Sequence, residues 1–442
     1  MKLLLDLHRI PFQSLQLANH DPSRQHMLFS RPGAPLLVAA SVLWFMATTA
    51  AGQPNRGWIS TWQGTPTPGG TFYSPGCPSD VGLANQTVRN VVHVSAGGNW
   101  VRARISNEYG ANPLLVGAAT IAVAANGAAI APGSLHPLHF SGSTSILIAA
   151  GGEVVSDPVP LQVMALDNLD VSVYLPGSTG LATQHYYADQ DNYLAVGDQT
   201  GSTVAGPFST TISCWMFVSG VEVVAAPKLA GTLVAFGDSI TDGYLSTNDA
   251  NHRYPDDLAN RISRRRGRTV AVVNSGIIGN ELLTVRPFLQ FGYAAPNRFG
   301  RDVVTQPGAR AVILLEGIND IGDRSAKAED LIPVYQQLIV AAHDAGLRIY
   351  GGTLLPFAGS NGTYGGDYGT PAGEVERQKV NAWIRSSGEF DGVIDFDKAT
   401  RDPSDPTRLL PAYDADHLHP NDAGYQAMAN AVNLGEILDG ID

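Results

Sequence analysis

The chain has 442 residues, 44% hydrophobic and 15% charged, a globular composition long enough for two domains. The formal net charge of −12 argues against nucleic acid or an anionic membrane as partner, since both reward Lys and Arg. The one basic run, Arg261 to Arg268, reads as the solvated end of a helix.

Residues 1–52 read as a leader with a signal peptide. Arg31 precedes an apolar stretch, Ala34 to Ala47, and the small residues Thr49 to Gly52 suit cleavage near Ala51 or Gly52. The stretch is too short for a stable membrane span. Residues 1–26 are mixed, and Met27 would begin a more ordinary signal. The expected location is secreted or periplasmic. Export permits a disulfide between the two cysteines, Cys77 and Cys214; two separate buried thiols are the alternative.

Residues 53–228 read as an all-β domain. Val88, Val92 and Val94 alternate with polar neighbours, as do Val101–Ile105 and Leu169–Leu175. Period-two runs broken by Gly, Pro, Asn and Asp predict an antiparallel sandwich or jelly roll. Trp58, Trp62 and Phe72 could stack on sugar rings, but packing in that sandwich is the simpler reading. His185, Tyr187 and Arg253 read as polar residues of a domain interface or of the surface, with a part in shaping a cleft as the alternative.

Residues 229–442 change texture. Short apolar runs at Leu233–Phe236, Val270–Val273, Ala311–Leu315, Arg348–Leu355 and Val393–Phe396 alternate with helical patterns. One helix starts near Pro255, and one carries Leu331, Tyr335, Leu338 and Ala342. A third holds Val380, Trp383 and Ile384, and the last runs from Asn421 through Tyr425 and Met428. This alternation predicts an α/β fold with a five-stranded parallel sheet covered on both faces.

Four short motifs follow these strands: Gly237-Asp238-Ser239-Ile240, Asn274 to Asn280, Glu316-Gly317-Ile318-Asn319-Asp320, and Asp416-His417-Leu418-His419-Pro420. Ligands of open parallel sheets bind beyond the carboxyl ends of the strands, so the motifs should meet at one edge. Ser239 is the candidate nucleophile and His419 its base, with Asp416 holding the other ring nitrogen. The backbone N–H groups of Ser239 and Gly279 and the amide of Asn319 are candidate oxyanion donors. Asp414-x-x-His417 repeats the spacing of Asp416-x-x-His419, and Asp416, His417 and His419 could instead be a metal cluster. With no HExxH and no further His-rich cluster, no metal or other cofactor is expected.

The order Ser239, Gly279, Asn319, His419-Pro420 resembles the SGNH (GDSL) hydrolase family over roughly residues 230–440. The resemblance implies a flavodoxin-like αβα sandwich and metal-free ester hydrolysis. The chain lacks the GxSxG elbow of α/β-hydrolases. Further upstream, Ser95-Ala96-Gly97-Gly98, Arg102 to Asn107, Ser156-Asp157-Pro158-Val159 and Arg253-Tyr254-Pro255 look like a subgroup of secreted two-domain SGNH esterases, some linked to xylan degradation. That likeness implies a serine esterase acting on short acyl, chiefly acetyl, esters, small-molecule or polysaccharide. The alternatives are a broad-range lipase or arylesterase, and a carbohydrate-binding or adhesion protein with an inactive hydrolase domain.

Overall fold

The computed structural model describes residues 57–70, 77, 78 and 80–441; the expected leader and Phe72 lie outside the described residues. All the described residues belong to one compact unit, which contains two large hydrophobic cores.

The first core is held between antiparallel sheets. A four-stranded sheet has the order Trp58–Gln63, Val218–Val224, Val101–Asn107, Gly152–Val155. A six-stranded sheet centres on Gln86–His93 and Asn168–Leu175. Val101, Ala103 and Ile105 from one sheet meet Val88, Val92, Leu169, Val171 and Val173 from the other in a single core. Cys77 and Cys214 form a disulfide across this region. The expected alternation fails in the six-stranded sheet, where Asp170 and Ser172 of Asn168–Leu175 are buried along with the polar residues of Gln86–His93. Thr87 and Arg89 lie on the outer side of their strand but are buried, because loops roof that face. Arg89 donates to the carbonyls of Ala128 and Ser202 in those loops.

The second core surrounds a parallel sheet. Its strands are β1 (Leu229–Gly237), β2 (Thr269–Gly276), β3 (Ala309–Leu315), β4 (Arg348–Gly352) and β5 (Gly392–Ile394), in the spatial order β2-β1-β3-β4-β5. Residues 233–236 of β1 and 311–315 of β3 are buried on both faces, as their unbroken apolar runs require. Two strands end earlier than their apolar runs suggest. After Gly352 the backbone N–H of Leu354 turns to the side chain of Asn381. Phe396 opens a short helix, Phe396–Thr400, capped by Asp395.

The helices used below are α1 (Ser239–Asp242), α2 (Tyr254–Ser263), α3 (Ile318–Arg324), α4 (Ala328–Asp344), α5 (Pro371–Ser386) and α6 (Asp422–Ala431). α2 packs on α6, and α4 packs on α5. Leu331, Tyr335, Leu338 and Ala342 form the buried stripe of α4, at the spacing its sequence shows. α2 closes at Ser263, so most of the basic run follows the helix rather than ending it. Arg261, still inside α2, donates to the carbonyl of Val432 at 3.2 Å. No helix among the described residues is long and apolar enough to cross a membrane.

The two cores are joined by side chains. Strand Trp58–Gln63 lies against β1 and β2. Ser95 Oγ accepts from Val272 N–H at 3.0 Å, and Ser275 donates to Gln63 Oε1 at 2.7 Å. Trp62 packs edge-on to Trp215 at 5.1 Å, a packing role, while Arg102 covers the ring of Trp58.

Candidate active site

The strand order reverses at β1: the chain runs outward to β2, then crosses back to β3. A crevice opens at such a switch point, beyond the carboxyl ends. Ser239 follows β1, Gly279 follows β2 and Asn319 follows β3, so three motifs converge there by topology alone.

Ser239 is the first residue of α1. Asp238 caps that helix, its Oδ1 accepting the N–H of Ile240 at 2.9 Å. The turn is tight. A Cβ on Gly237 would lie 2.1 Å from the carbonyl oxygen of Leu315, so only glycine fits there. Ser239 Oγ lies 2.9 Å from His419 Nε2.

His419 is fixed from every side. Its Nδ1 is 3.0 Å from Asp416 Oδ2, and Asp416 Oδ1 accepts the backbone N–H of His419 at 2.7 Å. Nδ1–H therefore faces the carboxylate, and the Nε2 lone pair faces Ser239. Burial pushes the Asp416 carboxyl up, but the hydrogen bonds and charge of His419, with the Tyr364 hydroxyl, outweigh it and hold Asp416 well below the usual range. The ring of Tyr244 meets His419 edge-on at 4.8 Å. Asn421 caps α6 by accepting from Gly424 N–H at 3.1 Å, which anchors the chain just beyond the histidine.

His417 points elsewhere. Its Nδ1 pairs with Asp414 Oδ2 at 2.6 Å, and its side chain is 54% exposed. The residues of the metal reading are thus split between two separate pairs.

Gly279 has φ 72°, and a Cβ there would lie 2.9 Å from the Phe291 ring. Glycine satisfies both demands and leaves the backbone open. The loop is tied down by neighbours. Ile278 N–H donates to Asp242 Oδ2 at 2.9 Å. Asn319 Nδ2 donates to the Asn280 carbonyl at 2.8 Å, which leaves its second N–H free of that bond.

Two groups absent from the motif reading hold this edge together. Arg298 is 1% exposed and donates to Gly237 O, Ser275 O and Asn280 Oδ1 at 2.8–2.9 Å, joining the ends of β1 and β2 to the loop that carries Gly279. No local pattern around Asn297-Arg298-Phe299 announces this. The second group is Asp242, at the end of α1. Its Oδ1 accepts from His185 Nε2 at 3.0 Å, while His185 Nδ1 faces the Thr65 carbonyl at 3.0 Å. His185 and Arg253 therefore sit at the junction of the two cores, as interface residues. Arg253 donates to Asp189 O at 3.0 Å. Tyr187 reaches further, packing on Tyr244, which in turn packs on His419.

Beneath the site lie buried acids. Burial pushes Asp238 and Asp320 each up to about 7, and Glu316 well above its ordinary value. Among the described residues, no group of three or more His, Cys, Asp and Glu side chains is arranged to hold a metal ion.

Residues 235–427 match the GDSL-like lipase/acylhydrolase family. No curated protein is similar enough in sequence to match the chain. Solved structures that resemble it include a GDSL-like lipase from Bacteroides thetaiotaomicron, at 18% identity over 47% of this chain and 88% of that one, TM-score 0.36. An aryl esterase from M. smegmatis matches at 14% identity over 45% and 95% of the two chains, TM-score 0.37. A carbohydrate acetylesterase family member from Sinorhizobium meliloti matches at 14% over 45% and 94%, TM-score 0.37. The motif order and the five-stranded parallel sheet agree with the family match: through residues 235–427 the chain carries an SGNH-type domain of the GDSL-like lipase/acylhydrolase family, a family of carboxylic ester hydrolases.

Proposed function

We propose that the protein is a secreted serine esterase that removes short acyl groups, chiefly acetyl, through an acyl-enzyme. The observation that carries this reading is the line Ser239 Oγ, His419 Nε2, His419 Nδ1, Asp416 Oδ2, with spacings of 2.9 and 3.0 Å. His419 takes the Ser239 proton as Oγ attacks the ester carbonyl. Asp416 stabilises the imidazolium that results. The tetrahedral oxyanion is met by the N–H groups of Ser239 and Gly279 and by Asn319 Nδ2. Collapse expels the alcohol, which takes the proton from His419. Water, deprotonated by the same ring, then attacks the acyl-serine and releases the acid.

Acetylated plant polysaccharide is the proposed natural substrate, supported by the upstream motifs from Ser95 to Val159 and by Arg253-Tyr254-Pro255. Export is supported by the sequence between Arg31 and Gly52. A lipase or arylesterase reading draws on one feature: Val285, Phe288, Leu289 and Tyr293 are exposed on the segment that follows Gly279. A panel of esters from acetyl to palmitoyl, run beside acetylated xylan, separates the readings. Preference for acetyl and release of acetate from xylan support the proposal. Preference for long or aromatic acyl groups overturns it, and no turnover at all returns the adhesion reading.

A further inference from the structure

We infer that Tyr364 and Tyr368 form a clamp that positions both halves of the catalytic site at once, the Asp416–His419 pair and the Asn319 donor. The inference rests on the serine esterase reading above.

Tyr364 donates its hydroxyl to Asp416 Oδ2, and its oxygen lies 3.4 Å from His419 Nδ1. Four residues on, Tyr368 donates to Asn319 Oδ1 at 2.6 Å. The two rings touch, centroids 5.6 Å apart. One short stretch of chain thus reaches the carboxylate on one side and the oxyanion donor on the other.

The direction of each bond follows from chemistry. The Asn280 carbonyl can only accept, so Asn319 must turn Nδ2 toward it. Oδ1 then faces Tyr368, whose hydroxyl must donate. This blocks rotation of the amide, which would bring Oδ1 against the Asn280 carbonyl and into the oxyanion site. Drawing electron density toward Oδ1 also makes the remaining Nδ2–H a better donor. The ionised Asp416 only accepts, so Tyr364 donates there too.

The clamp is built onto the helix that carries Asn319. Gly322 of α3 lies under the Tyr368 ring, and a Cβ there would be 2.4 Å from it. Asp367 N–H donates to Gly322 O at 2.7 Å. Gly366, with φ 51°, approaches the same carbonyl so closely that a Cβ would sit 2.3 Å away. Tyr368 is 3% exposed, so its hydroxyl has no water in competition for Asn319.

Tyr364→Phe and Tyr368→Phe, assayed on a soluble acetyl ester, test the inference. Tyr368→Phe should lower kcat about threefold to tenfold with little change in KM, the loss of one hydrogen bond in the transition state. In an Asn319→Ala background the same substitution should cost nothing further, which a merely structural tyrosine would not show. Tyr364→Phe leaves more negative charge on Asp416, so the acidic limb of kcat/KM should move to higher pH by about half a unit. Wild-type kcat and pH profile in both variants, with Ser239→Ala inactive, would overturn the clamp and leave the esterase reading standing. Activity surviving in Ser239→Ala would instead overturn the esterase reading.

Discussion

Asp242 should be the most revealing residue outside the catalytic line. Its carboxylate takes hydrogen bonds from His185 Nε2 at 3.0 Å and from Ile278 N–H at 2.9 Å. The His185 and Asp242 side chains are 4% and 6% exposed, so water cannot replace either bond. The Thr65 carbonyl only accepts and the carboxylate only accepts, so both His185 nitrogens must donate, and the ring must be charged. Asp242→Leu removes the anion and leaves the Ile278 N–H without an acceptor. Breaking a buried pair in this way costs about 3–5 kcal/mol. Asp242→Asn should cost only about 1 kcal/mol, because a neutral His185 can donate from Nδ1 and accept at Nε2 from the new amide, while the Asn oxygen still takes Ile278 N–H.

The pH dependence has a definite sign. Burial pulls the His185 ring down, and Arg253 opposes its charge, but Asp242 and the Thr65 carbonyl outweigh them and raise it above its ordinary value. The pair's contribution is therefore fully present below the unfolded value, about 6.5, and is lost as pH rises through the raised folded value. Urea unfolding at pH 6 and at stepwise higher pH measures both effects. Wild type should lose stability across that window, and Asp242→Asn should lack the slope. Equal costs for Leu and Asn, or the same slope in both proteins, would refute the reasoning.

Other outcomes follow from the geometry. His419→Ala should lower kcat by several orders of magnitude, because Ser239 loses its proton acceptor, while His417→Ala should keep most of kcat; steady-state kinetics of the two variants decide the assignment. Asn319→Ala removes one oxyanion donor and should lower kcat by roughly 10²- to 10³-fold, about 3 kcal/mol, with KM nearly unchanged. Substituting both Cys77 and Cys214 with Ser opens a link spanning 137 residues in sequence, and unfolding should become easier by about 2–5 kcal/mol in a denaturant titration.

Much of the catalytic domain was legible because its signals are local. The runs Leu233–Phe236 and Ala311–Leu315 can only be buried strands, and strand–helix alternation then places Ser239, Gly279 and Asn319 at one edge. Strand ends were less legible. Apolar residues continue past Gly352 and up to Phe396, but side-chain acceptors on Asn381 and Asp395 end the strand or start a helix there. The outer face of Gln86–His93 read as exposed because nothing local tells that distant loops will roof it. Arg298, Asp242, Tyr364 and Tyr368 were invisible in their roles for the same reason. Each acts through partners between 18 and 61 residues away in sequence, at the contacts with Asn280, His185, Asp416, Asn319 and Gly237. No periodicity or short motif records such pairings. Spacing alone did not choose His419 over His417, since both follow an aspartate by three residues; Pro420 and the helix start at Asn421, directly after His419, made the choice.

The central claim is that Ser239 is the nucleophile of a serine esterase. Intact-protein mass spectrometry after brief exposure to a slowly hydrolysed acyl ester, followed by peptide mapping, tests it most directly. The account predicts one acyl group per chain, on Ser239, appearing in wild type and absent from a folded Ser239→Ala variant that has lost turnover. An acyl group on another residue, or full turnover by Ser239→Ala, would contradict it.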